Sequence, residues 1–134
     1  MRRVTPVTSA AGDSGAAVVD FVLVGSVVTL LFAAIAQLGL TLHVRNTLVA
    51  SAAEGARYAA NADLGPAAGA SRARDVIREA LADQYADEVT AGYESVDGLP
   101  TVYVEVRAPL PLLGPLGPPD TLVVRGHALA EPTP

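Results

Sequence analysis

GAAVVDFVLVGSVVTLLFAAIAQLGLTL, residues 15–42, is the stretch from which the rest of the chain can be read. After the small-residue junction Gly15-Ala16-Ala17 and a single carboxylate, Asp20, the 22 residues 21–42 carry no formal charge. At about 1.5 Å rise per residue they reach about 33 Å, enough to cross a hydrocarbon core of about 30 Å. A core helix of a soluble domain rarely needs more than about 14 continuous apolar residues, and a 134-residue chain has little with which to cover such a helix all round. The reading is a transmembrane helix, residues 16–42, lying in a lipid bilayer.

The flanks predict its orientation. Arg2 and Arg3 precede the run, whereas most of the acidic residues follow it. The positive-inside rule then places the N-terminus in the cytoplasm and the bulk of the chain on the extracytoplasmic side, in a single pass of the cell membrane. A carboxylate inside a membrane helix is costly and tends to mark a site, which singles out Asp20.

Gly15-Ala16-Ala17-Val18-Val19-Asp20-Phe21 resembles the processing junction of type IV prepilins: a glycine, four small or apolar residues, an acidic residue and an aromatic one. The longer stretch 15–62 contains Ala53-Glu54-Gly55-Ala56-Arg57-Tyr58-Ala59-Ala60 beyond the apolar run, and resembles the TadE-like family of pseudopilins. In that family the acidic residue is usually Glu; here it is Asp20. The resemblance implies a leader, residues 1–15, cut between Gly15 and Ala16 by a prepilin peptidase. It also implies partners among other pilins and pseudopilins, a secretion ATPase and the inner-membrane platform of a tight-adherence (Tad, or Flp-type) pilus or related secretion machinery. Glu54, Gly55, Arg57 and Tyr58 would be the family motif. Cleavage would free the amine of Ala16, and the Asp20 carboxylate one turn on, in the same or a neighbouring helix, would pair with it in a low-dielectric setting; Asp20 and the adjacent Phe21 are the expected assembly site.

Two motifs compete with this reading. Gly12-Asp13-Ser14-Gly15 copies the tetrapeptide around a serine-protease nucleophile, but that chemistry needs a His base and an Asp orienter on a large scaffold, and Asp13 or Ser14 serves better as a helix N-cap. Ala34-Ile35-Ala36 fits a signal-peptidase site, which would release a soluble domain starting at Gln37; against it, the apolar stretch is longer than the usual h-region of about 7–15 residues. An unprocessed single-pass protein whose outer domain binds a cell-envelope ligand is a further alternative, and a membrane-tethered hydrolase, lacking any candidate nucleophile and base, is the weakest.

Within the run, Gly25, Thr29, Ala33 and Gln37 recur every four residues, a stripe suited to helix packing in which Gln37 seeks a polar partner. The helix is expected to continue beyond the membrane as an extension, residues 43–62, with Leu48, Val49, Ala52, Ala56 and Ala59 on its apolar side and Glu54 three residues from Arg57. Gly55, costly in a helix interior, suggests close packing of another element.

A small domain follows, residues 63–134. Residues 61–70 read as a loop, and Ser71 as the cap of a second helix reaching about Tyr85, with Ala73, Val76, Ile77, Ala80, Leu81 and Gln84 inward. The charged residues Arg72, Arg74, Asp75, Arg78, Glu79 and Asp83 read as its solvated face. Strands are expected at 89–96, 101–107 and 122–130, the first two joined at Asp97-Gly98. Val102, Val104 and Val106 face the core there, and Thr101, Tyr103, Glu105 and Arg107 face water. Residues 109–120 hold five prolines, with Leu110, Leu112, Leu113 and Leu116 needing cover. The fold class is α+β and pilin-like: a long N-terminal transmembrane helix extending into an outer domain with a second helix and an antiparallel sheet of about three strands.

Composition agrees. Hydrophobic residues make up 51% and charged residues 17%, and the net charge of −5 argues against nucleic acid as a partner. There is no cysteine, so disulfides and thiolate metal sites are excluded. His43 and His127 lie in no metal-ligand spacing, and no catalytic residues or cofactor are called for. The expected role is non-catalytic.

Overall fold

A computed structural model describes residues 11–61, 64–111 and 121–130. Helix α1 spans Ala11–Asn61 and helix α2 Pro66–Ala80; a 3-10 turn at Asp83–Ala86 leads to strands β1 (Glu88–Val96), β2 (Leu99–Pro109) and β3 (Thr121–Leu129). The chain divides into two compact units between Ala36 and Gln37. The α+β expectation holds: a long apolar helix, a second helix and a three-stranded antiparallel sheet.

In the first unit α1 is bare. Phe21 is 79% exposed and Phe32 73%, and no side chain described between 14 and 36 is buried. The helix begins at Ala11, so Asp13 and Ser14 lie inside its first turn instead of capping it. Ala11, a strong helix former, carries the coil back past the expected cap. Residues 1–10 of the expected leader lie outside the described residues.

In the second unit the rest of α1 turns one stripe inward: Val44, Leu48, Ala52, Ala56 and Ala59 are buried. Spacings of four and three keep these residues on one face of a 3.6-residue helix. Val49, expected on that face, is 40% exposed because it follows Leu48 by a single residue, about 100° around the helix. Ser51 is buried at the stripe's margin, its hydroxyl satisfied by the Thr47 carbonyl at 2.8 Å.

Helix α2 starts five residues earlier than expected. Pro66 occupies the first turn, where its missing N–H is no loss, and Ala67 and Ala68 favour helix, so Ser71 lies inside. Its buried face is Gly69, Ala70, Ala73 and Ile77; Ala80 and Gln84 are exposed. The chain then leaves the α-helix, with the Leu81 amide closing on the Ile77 carbonyl at 2.7 Å, and the 3-10 turn buries Tyr85 and Ala86.

The sheet has the order β1-β2-β3. β1 and β2 are joined by Asp97 (φ 52°) and Gly98 (φ 81°), with Val96 opposite Leu99. Two positive φ values define the two-residue hairpin turn whose twist matches its strands. Val102, Val104 and Val106 of the central strand are at most 1% exposed, and Val104 and Val106 join Leu48, Ile77 and Val124 in one cluster with Ala52 and Ala56.

The opposite face of β2 is not the wet surface that alternation predicts. Thr101 is 3% exposed and Glu105 6%, because β2 is central and side chains from both flanking strands close over it. Of the proline-rich segment, Leu110 is half-buried and Pro111 buried; Leu112, Leu113 and Leu116 lie outside the described residues.

Candidate functional site

The junction residues sit on an exposed helix. An added methyl at Gly15 would touch nothing, and Ala16, Asp20 and Phe21 are exposed. Ala16 and Asp20 are four apart and therefore on one helix face. Of the four-residue stripe, Gly25, Thr29 and Ala33 are likewise exposed. The Thr29 hydroxyl donates to the Gly25 carbonyl at 2.8 Å, as Ser26 does to Val22 at 2.7 Å, so both hydroxyls are satisfied within the helix.

Gln37 belongs to the second unit. Its side-chain Nε2 donates to the backbone carbonyl of Pro111, and its own carbonyl accepts from Thr41 Oγ1 at 3.0 Å. The polar partner expected in another membrane helix is supplied, for this donor, by the same chain.

The motif around residues 54–58 splits by role. Glu54 pairs with Arg57 at 3.3 Å as expected, and also reaches Arg72 of α2 at 3.7 Å. Gly55 packs against Gly69: a methyl on Gly55 would collide with the Gly69 carbonyl and come within 2.9 Å of the Ala73 Cβ, and one on Gly69 would lie 2.7 Å from the Gly55 carbonyl. The close packing read from Gly55 is therefore a crossing with α2. Tyr58 is 43% exposed.

A second cluster, on the outer face of the sheet, was missed in the sequence. Glu105 accepts from Arg107 Nε at 2.8 Å and from Arg125 Nε at 2.5 Å. Arg125 also lies 3.8 Å from Glu94, stacks 5.1 Å from the centre of the Tyr103 ring, and is followed by His127, whose Nε2 is 2.7 Å from Glu94. The bonds from Arg107, then Arg125, hold the Glu105 carboxyl below its usual range against the opposing effect of burial. The same bond raises Arg125. Tyr103 lies over Gly92, where a methyl would meet its ring at 2.9 Å. The alternation of β2 places Glu105 and Arg107 on one face, but only the register, Glu105 opposite Arg125 and Tyr103 opposite His127, assembles the rest.

Arg74, expected in solvent, turns to the sheet and donates to the Val89 carbonyl at 2.6 Å. No group of three or more His, Cys, Asp or Glu is placed to hold a metal ion among the described residues.

The geometry of α1 indicates single-pass membrane anchoring: it is long and apolar enough to cross a bilayer, and its most apolar stretch is not buried by the rest of the chain. Residues 15–57 match the model of the TadE-like protein family, about a third of the chain, beginning at Gly15 and ending on Arg57. The match agrees with the resemblance carried by the junction and by Glu54-Gly55-Ala56-Arg57, and points to a protein associated with the Tad pilus. The chain matches no curated protein and no solved structure.

Proposed function

We propose that the chain is a non-catalytic, pseudopilin-like subunit, cut between Gly15 and Ala16 and held by α1 in the membrane with its sheet domain outside the cytoplasm, where it supports assembly of a Tad/Flp-type pilus or related secretion machinery. The observation that carries this reading is the start of the family match at Gly15, within an exposed apolar helix and five residues before its one early carboxylate. Prepilin peptidase, other pilins and the inner-membrane assembly platform are the partners that go with it, and Arg2 and Arg3 support the orientation.

The chemistry is consistent within the helix. A peptidase needs extended backbone, and glycine costs about 1 kcal/mol relative to alanine in a helix interior, so Gly15 makes the scissile turn the cheapest place in this stretch to open. Once cut, Ala16 carries a cation one turn from Asp20.

The test is the N-terminal residue of the membrane-bound protein from its native host, by intact mass, beside a Gly15→Val variant. A chain starting at Ala16 that disappears in the variant is the expected result. Retention of Arg2 and Arg3 would reduce the protein to an unprocessed anchored domain; a soluble chain starting at Gln37 would replace processing by release.

A further inference from the structure

Where β2 finishes, the sheet domain carries an uncharged, proline-rich stretch of sequence. Pro109, Leu110 and Pro111 follow Arg107 and Ala108, and the sequence stays uncharged as far as Pro119. Pro111 is buried, and its carbonyl accepts from Gln37, a residue inside the uncharged run 21–42 and five positions short of its end. Along a helix that separation is about 7.5 Å, so Pro111 is tied to α1 below the upper limit of the apolar run.

Irregular backbone is tolerated at membrane depth only where its polar groups find partners in the protein. Two features meet that condition, and a third offers an apolar setting. Proline has no N–H, so Pro109 and Pro111 bring no donor that needs satisfying. The Pro111 carbonyl has the Gln37 amide, and Thr41, the other polar side chain on this turn, bonds back to the Gln37 carbonyl. The neighbouring helix surface is apolar and open: Leu38 is 61% exposed and Leu42 47%. The opposite end of β2 contrasts with this. There the turn carries Asp97, and Glu94 lies close by with its ionic partners.

The geometry points to a second membrane contact: the foot of the sheet domain, Pro109 to Pro111, is seated in the leaflet on the domain's side, against the helix turn 37–42. The occupant of this surface is lipid, continuous with the lipid around α1. The inference rests on the membrane-anchor reading of α1. Its consequence is that the two ends of β2 differ in surroundings, with the Asp97-Gly98 turn about 33 Å from the foot along an 11-residue strand.

The absence of cysteine makes the test direct. Single cysteines are placed at Leu30 in the bare helix, at Pro109, exposed in the fold, and at Ser95 near the hairpin turn, and labelled with an environment-sensitive fluorophore. The full chain is reconstituted alone in phosphatidylcholine/phosphatidylglycerol vesicles containing nitroxide-labelled lipid, and quenching is compared with that by aqueous iodide. The Pro109 label is expected to be quenched by the lipid nitroxide several-fold more than the Ser95 label, and most strongly when the nitroxide lies near the headgroup end of the acyl chain. Iodide quenching as strong at Pro109 as at Ser95, with Leu30 quenched by lipid, overturns the foot while leaving the anchor. Shielding of Pro109 from both quenchers assigns the surface to a second copy and overturns the lipid contact. A Leu30 label reached only by iodide removes the anchor and the foot together.

Discussion

Glu105 is the residue through which the outer face of the sheet is held. With its carboxyl below the ordinary value of 4.5, the unfolded chain takes up this proton first as pH falls. The stability it contributes is therefore complete above that value and is lost as pH falls through the folded one. Glu105→Gln is expected to lower stability by about 1.5–3 kcal/mol at neutral pH, the range for hydrogen bonds to a charged group. In thermal melts of the full chain in detergent, the gap between variant and parent should close as the pH is taken below 4.5. A gap unchanged with pH would mean that the carboxylate charge is irrelevant. The glycines make the second case. At Gly126 an added methyl lies 2.6 Å from the Ala52 carbonyl and closer still to the backbone of Ala53, so Gly126→Ala should destabilise by about 1–3 kcal/mol through overpacking. Gly25→Ala, with open space around it, should leave the same melt unchanged.

At the scale of elements, the turn and the helix crossing are the most exposed to test. Gly98 sits at φ 81°, where an L side chain is strained, and Gly98→Ala should cost about 1 kcal/mol and loosen the β1–β2 hairpin, read as faster amide exchange at Val96 and Leu99. The hairpin was legible before the structure because Asp-Gly between alternating segments has one economical geometry. The central strand's core face was legible for the same reason, since a period of two admits a single assignment. What could not be read was anything dependent on pairing register or helix crossing. Ser71 looked like a cap because the chemistry of a cap is local, yet Pro66 with two alanines started the helix a turn and a half earlier. Arg74 looked solvated because its neighbours in sequence are charged, whereas its partner, Val89, arrives from 15 residues away. Glu105 looked wet until Arg125 and Glu94 were brought over it by the register.

For the molecule as a whole, the boundary between Ala36 and Gln37 separates a helix that buries nothing from a unit holding the whole cluster of Val44 to Val124. A chain beginning at Gln37 is expected to keep its α+β circular dichroism and to melt cooperatively within a few degrees of the full chain in detergent. Loss of cooperativity would mean that residues before Gln37 contribute to the fold. The apolar anchor was the most legible part of the chain, because length and lack of charge alone decide it. The junction at Gly15 was legible as a pattern, and the family match begins on it.

The bond from Arg74 to Val89 bears on how this sheet can meet another. The antiparallel ladder, with the Ala130 amide on the Pro100 carbonyl, directs the backbone groups of Val89, Ala91 and Tyr93 away from β2, and α2 lies against β1. A guanidinium already occupies the Val89 acceptor on that border. On β3 the outward groups belong to Val123, Arg125 and His127, and no described strand pairs with them. The two borders therefore differ: strand addition beside Val89 would have to displace the Arg74 guanidinium, whereas on β3 no described group has to be displaced.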